Sequence, residues 1–348
     1  MTHLSVVAIG LGSLGRLESH IANSIDGVDI VGGADPAEDA RATFESELHA
    51  PAYGSHEELL DDVDADAAII SSPHTLHFEH AMSCLERGVH VHLEKPMVTD
   101  LGDARALARE AEARDCVLAV GYQRHFDDRF REMRRIIDEG RIGTPHMATC
   151  HLEQVWIDAV GDGWRGNPAL SGGGQLYDSG SHLLDSLLWT TRSTPVSVAA
   201  TVDSRGADVD VNSALAVTLE RGDDRMTASV GVSGAGESGP APGEMLSIWG
   251  TEGSVSFDGE IIRVTEDGAT HESTPAEPSF EDLTERKLGN FFDAARGDAE
   301  SEIPPADAVK VTALTEAAYE SAESGRRLAV DAGLEASVET PADAVQND

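Results

Sequence analysis

Lysine is almost missing from this chain: only Lys95, Lys287 and Lys310 among 25 basic residues, set against 63 acidic ones. Elsewhere the sequence meets its need for positive charge with arginine, so a lysine at a conspicuous position asks for a reason. The formal net charge of −38 repels phosphate backbones and anionic lipid surfaces at every approach, which excludes nucleic acid and membrane surfaces as partners. No run approaches the ~20 apolar residues of a membrane span, and no N-terminal stretch has the basic-then-apolar layout of a signal peptide, so a cytoplasmic protein is expected. Cysteine is scarce too. Cys84, Cys116 and Cys150 are an odd number in apolar contexts without CxxC spacing, which argues against disulfides and a cysteine metal site, and no metal site is expected.

What is present is length and regular patterning. At 348 residues the chain exceeds the ~250–300 at which single cores stop growing, and two domains around separate cores are expected. The acidic residues interleave with apolar segments, so they read as solvated faces and not as a disordered block. Self-repulsion on this scale needs screening, which points to a halophilic source with a concentrated cytoplasm.

The first third alternates short β-branched runs with amphipathic helical patterns, the signature of strand–helix–strand units around a parallel sheet. Strands are predicted at residues 5–9, 29–33, 67–71, 89–93 and 117–120, with helices at 75–87 and 101–114. This is a Rossmann-type doubly wound domain over residues 1–121. After Gly121 the texture changes: a helix near 128–139, a turn at Gly143, Thr144 and Pro145, and a long strand over 146–156. Gly172, Gly173 and Gly174 then precede a helical stretch to about Trp189, and alternating runs at 197–202, 213–220, 226–232, 245–250 and 254–257 predict an antiparallel sheet. Helices near 280–295 and 305–324 close a second α/β domain, over 122–330. Residues 331–348 are acidic and Ala-rich, with no basic residue, and are expected to be a disordered tail.

The chemistry begins where the first strand runs into Gly10-Leu11-Gly12-Ser13-Leu14-Gly15, a full GxGxxG opening a helix. Gly10 permits the tight turn, Gly12 lets the backbone approach a pyrophosphate, and Gly15 allows close helix–strand packing; Ser13 and Leu14 belong to the same cofactor loop. Asp35 lies 20 residues beyond Gly15, at the end of the second strand, where a carboxylate accepts hydrogen bonds from adenosine ribose hydroxyls. NAD is therefore expected as the preferred cofactor and NADP as possible, since a 2′-phosphate would meet this carboxylate and no basic residue follows until Arg41. Ser72-Pro73-His74-Thr75-Leu76-His77 sits at the carboxyl end of the third strand, where doubly wound sheets gather ligand-binding loops. Ser72, Pro73 and His77 are candidate cofactor contacts, while neither His74 nor His77 reads as catalytic.

Glu94-Lys95-Pro96 stands at the next strand end, and Asp178-Ser-Gly-Ser-His182-Leu-Leu-Asp185 follows the triple glycine. With the glycine fingerprint, Gly121-Tyr122-Gln123-Arg124, Trp164-Arg165 and Gly250-Thr-Glu-Gly253, this ordered set resembles the Gfo/Idh/MocA oxidoreductase family over about residues 4–330. The resemblance implies an N-terminal Rossmann domain and a C-terminal α/β domain with a large open, mainly antiparallel sheet often used for oligomerisation, hence a homodimer or homotetramer. It also implies roles: Lys95 beside the nicotinamide and the reacting hydroxyl, His182 as acid/base, Asp178 assisting, Asp185 on substrate hydroxyls, and Glu94 at the cofactor.

These assignments agree with what the residues offer. Hydride transfer from a secondary alcohol needs one group to remove the hydroxyl proton and another to stabilise an alkoxide-like oxygen, which His182 and Lys95 can supply. Four residues apart, Asp178 and His182 share a face if the segment is helical. Arg124, Trp164 and Arg165 could orient substrate, or could serve a salt bridge and aromatic packing. The implied activity is an NAD(P)-dependent oxidoreductase acting on a CH–OH group of a sugar, polyol or inositol-like substrate. The alternatives are a reductase of a non-sugar carbonyl or unsaturated substrate, and a dinucleotide-sensing regulator without turnover. The charge of −38 carries its own prediction: the thermal midpoint should fall as KCl is lowered from molar to dilute concentrations, and a midpoint indifferent to salt would remove the halophile argument.

Overall fold

The computed structural model describes residues 2–236 and 243–334. Six short strands build a first sheet: β1 (Leu4–Ile9), β2 (Val28–Ala34), β3 (Ala52–Tyr53), β4 (Ala67–Ile70), β5 (His90–Leu93) and β6 (Leu118–Val120), in the order β3-β2-β1-β4-β5-β6. Every pairing in it is parallel. Parallel strands bury both faces, and every residue of β4 is buried, beneath helices Ser13–Ser24 and His77–Leu85. The strand order reverses between β1 and β4, so their carboxyl ends open a crevice at the topological switch point.

The second sheet has nine strands: β7 (Pro145–Glu153), β8 (Thr194–Asp203), β9 (Asn212–Arg221), β10 (Asp224–Ser233), β11 (Gly243–Gly250), β12 (Gly253–Phe257), β13 (Ile262–Glu266), β14 (Ala269–Ser273) and β15 (Leu328–Ala329). Its order is β14-β13-β12-β11-β7-β10-β9-β8-β15, with β7 and β10 parallel and the other pairings antiparallel. One face packs against helices. The other exposes Met147 beside its cross-strand partner Trp249, with Met245 two pairs along the same face.

The two halves share one core. Buried apolar residues of both sheets form a continuous cluster. The reason is the chain's return: helix Phe280–Ala295 packs on helix Ser13–Ser24, helix Pro305–Ser324 bridges β8 and helix Leu101–Ala113, and Val120 N–H donates to the Ile303 carbonyl at 3.0 Å. Some expectations shift locally. The helix predicted at 75–87 opens as a 3₁₀ turn over His74–Leu76 before the α-helix His77–Leu85. The strand predicted over 146–156 leaves the sheet after Glu153, which frees Trp156 to turn towards Asp178. In the expected tail, the carbonyls of Asp331 and Gly333 accept from the Arg105 guanidinium, so the chain remains docked there. Residues 335–348 lie outside the described residues. Among the described residues no helix is long and apolar enough to cross a membrane.

Candidate active site

Two hollows meet at the glycine loop, sharing Gly12, Ser71, Ser72 and Trp164 in their walls. The larger, about 490 Å³, runs past Gly10, Asp35, Pro36, Pro73, His56 and His80. The smaller, about 310 Å³, is lined by Ser13, Leu14, His77, Glu94, Lys95 and Arg165. Gly10 has φ +91°, a conformation costly for a side chain, and a Cβ there would meet Ser72 N at 2.7 Å. At Gly15 a Cβ would fall 1.9 Å from the Gly10 carbonyl oxygen, whereas a Cβ at Gly12 would meet nothing within 4 Å, so the loop surface lies open.

Helix Ser13–Ser24 begins without a side-chain cap and without an acidic residue in its first turn. Its leading N–H groups and positive dipole end are thus left for an anion at the cleft. Asp35 directly follows β2, with Oδ2 accepting from Leu11 N–H at 2.9 Å and Oδ1 from Ala37 N–H at 2.8 Å. These bonds hold the carboxylate at the rim of the larger hollow, where remaining lone pairs suit ribose hydroxyls. An uncapped helix end, an open glycine loop and an oriented carboxylate in sequence along one cleft fit a dinucleotide.

At the other end of the cleft the central group is Asp178. Its Oδ1 accepts from Lys95 Nζ at 2.7 Å, and its Oδ2 from Trp156 Nε1 at 2.7 Å and Arg165 Nε at 3.0 Å. Although it occupies the cap position of helix Ser179–Thr191, its side chain makes no capping bond, because these three donors use it. Burial opposes its ionisation, but Lys95 and Arg165 outweigh burial and hold the carboxyl far below the usual carboxylate range. Arg165 also lies over the Trp164 ring at 4.4 Å, and His74 meets that ring edge-on at 4.7 Å.

His182 lies one turn into the same helix, edge-on to the Tyr122 ring at 6.0 Å, with its Nδ1 buried and without a hydrogen-bond partner. Burial, then the charges of Lys95 and Arg124, push its imidazole well below the ordinary histidine value. It is therefore a neutral base at neutral pH, close enough to Lys95 to feel its charge. Lys95, Asp178, Arg165 and Trp164 are brought together, and the glycine loop, Ser72, His77 and Glu94 share their cleft. Arg124 acts on His182 through its charge and Asp185 stands one turn beyond His182 on the same helix, and both are bound to protein partners. Arg124 makes a two-pronged bond to Glu244 Oε2 at 3.0 and 2.9 Å, and Asp185 accepts from His125 Nε2 at 3.1 Å in a fully buried pair. Trp156, His74, Ser71 and His80 were not singled out for the site. Ser71 and His74 stand in the loop after β4, whose position at the carboxyl end of a parallel strand is the signal for them, whereas Trp156 and His80 have no local spacing to mark them.

The residues of both halves match the Gfo/Idh/MocA descriptions. Residues 4–122 match an oxidoreductase family domain with an NAD-binding Rossmann fold, and residues 130–256 match the GFO/IDH/MocA C-terminal domain. The chain belongs to this family. Among similar proteins, 1,5-anhydro-D-fructose reductase of Ensifer adhaerens is 29% identical, over 80% of this chain and 84% of its own. The rhizopine catabolism protein MocA of Rhizobium meliloti is 26% identical, over 92% and 95%. The chain spans less than half of several other curated relatives, including 43% of the myo-inositol 2-dehydrogenase of Thermotoga maritima, which is 29% identical over 41% of this chain. A levoglucosan dehydrogenase solved with NADH and levoglucosan shares the fold, with a TM-score of 0.82 at 20% identity over 94% of this chain and 99% of its own.

The buried histidines set a pH dependence. His74 and His182 are both held well below the ordinary value by burial, so the unfolded chain binds protons there that the folded chain refuses. Their contribution is intact above the unfolded value of about 6.5 and is lost as pH falls towards the folded values. His125 runs the other way: against burial, Asp185 raises it, so its contribution is present below about 6.5 and is lost as pH rises. Burial lowers His77, His80 and His90 in the same direction, so five depressed histidines stand against one raised, and the thermal midpoint measured at constant salt should drop between pH 7.5 and 5.5. His74→Gln should make that drop shallower, and an unchanged slope in this variant would contradict the assignment.

Proposed function

We propose that this chain is an NAD-preferring dehydrogenase that interconverts a secondary alcohol (or hemiacetal) and the corresponding carbonyl on a sugar, polyol or inositol-like substrate. The observation that carries this reading is the Lys95 Nζ to Asp178 Oδ1 contact of 2.7 Å, beside a glycine loop that fits a dinucleotide. Bound NAD would accept the hydride. Lys95 is suited to hold the substrate oxygen as charge develops on it, because its ammonium is fixed by Asp178 and only 12% exposed. His182, uncharged at neutral pH, is suited to take the hydroxyl proton. Asp178 keeps the Lys95 ammonium aimed, while Arg165 and Trp164 frame the opening beside it.

Curated relatives acting on inositols and anhydrofructose support the substrate class by their names, and Asp35 at the rim of the larger hollow supports NAD over NADP. The apolar outer face of Met147, Met245 and Trp249 supports a homo-oligomer. The acidic surface supports a salt-rich cytoplasm.

A screen of the purified protein against inositols, pentoses, hexoses and sugar acids with each coenzyme, read by reduced-nicotinamide absorbance, tests the reading. The specificity constant with NAD should exceed that with NADP, and Asp35→Ser should narrow the gap. A wild-type preference for NADP would refute the role given to Asp35. On the substrate found, Lys95→Met and His182→Ala should each lower kcat by at least about 10²-fold while NADH binding by fluorescence titration persists. Full kcat in Lys95→Met would end the mechanism.

A further inference from the structure

Lys287 is the second of the chain's three lysines, and it is 1% exposed. It projects from helix Phe280–Ala295, and its Nζ lies 2.8 Å from Glu18 Oε1 and in hydrogen-bond contact with Glu94 Oε1. His92 completes the group, its Nε2 3.6 Å from Glu18 Oε1 and 4.0 Å from Glu94 Oε1. The ligand-type atoms of Glu18, His92 and Glu94 all lie within 4.8 Å of one another, the kind of spacing that receives a cation. Here the protein supplies that cation itself.

This cluster is more than packing, because both of its ends open on the cleft. Ser71 donates to Glu18 Oε2 at 2.5 Å, and Ser71 and Glu94 both line the smaller hollow. The Glu94 carboxylate is held at two points: Oε1 by Lys287, and Oε2 by the Lys95 backbone N–H at 3.3 Å. Gly121 leaves it room, since a Cβ there would stand 2.5 Å from Glu94 Oε1. A compact ammonium can sit between two carboxylates as a point charge, whereas the planar fork of a guanidinium needs more space. That supplies a reason for lysine in a chain that otherwise prefers arginine. Well-packed apolar residues in place of a buried ionic cluster are often as stabilising or more so, so stability alone does not explain charges buried at this place.

We propose that Lys287 is a positioning residue for the coenzyme: its buried ammonium fixes the Glu94 carboxylate at the Lys95 end of the cleft, as an acceptor for the carboxamide N–H donors of the nicotinamide of a bound dinucleotide. The proposal rests on the reading of the cleft as a coenzyme site. Lys287 acts through Glu94 and touches no reactant itself. Removing it would leave two neighbouring carboxylates without their cation, and Glu94 would lose the contact that fixes its Oε1.

The test compares NADH with ADP-ribose, which lacks the nicotinamide, by titration against the full chain. Lys287→Met combined with Glu18→Gln removes one charge of each sign, so the net buried charge is unchanged. Gly121→Ala displaces Glu94 while leaving Lys287 intact, and reports even if the double variant does not fold. In both, NADH affinity should fall about tenfold, the worth of one charge-assisted hydrogen bond, while ADP-ribose affinity stays within about twofold of wild type. Equal loss of both ligands would make the cluster a scaffold element and overturn the proposal, as would undiminished NADH binding. Wild-type protein that binds neither ligand would overturn the coenzyme reading itself and, with it, this one.

Discussion

The Lys95 end of the cleft is organised around one buried carboxylate. An ionised Asp178 in a dry site is tolerable only because three donors from different segments converge on it: Lys95 from the end of the first sheet, Trp156 from beyond β7, and Arg165 from the loop over the cleft. Removing any one donor leaves charge poorly solvated, so the carboxylate ties these segments in register. A second effect runs in the opposite direction. The same carboxylate confines the Lys95 ammonium, so what holds the parts together also orients the cation that lines the cleft.

Beneath this pair lies a second set of buried charges, and the two sets meet at neighbouring residues: Glu94 belongs to one and Lys95 to the other. The end of β5 therefore carries an anion held from below and a cation held from the side. Side chains locked in this way lose little freedom when a ligand arrives, which is how a preorganised site avoids reorganisation during reaction. Their anchors come from distant stretches of sequence, and the continuous core keeps those stretches at fixed separation.

Much of this was legible in the sequence, for identifiable reasons. The strand-to-glycine-loop junction at Ile9 and Gly10, the carboxylate at Asp35 and the strand end at Glu94-Lys95-Pro96 are local signals, and local backbone geometry decides them. The pairing of Lys95 with Asp178 could be proposed only because both stand in motifs of the family. The short β3 carries no alternation to read, and β14 is exposed along its whole length, so neither had an apolar pattern. Trp156 looked like the last residue of a strand, yet the chain leaves the sheet before it. Lys287 gave the weakest signal of all. Nothing adjacent to it hints at Glu18 or Glu94, and its burial is a tertiary fact.

The late return of helix Phe280–Ala295 has a consequence for how the molecule is made. Lys287 follows Glu94 by 193 residues, an interval of roughly 10–40 s at ordinary rates of synthesis. All six strands of the first sheet have been synthesised by then, yet Glu18 and Glu94 still lack their cation. On the ribosome the nascent first domain must keep that flank hydrated until helix Phe280–Ala295 arrives to cover it. The boundary near residue 121, plain in the sequence, is therefore a poor place to cut: a fragment ending there would carry the whole nucleotide fold and an uncovered pair of acids.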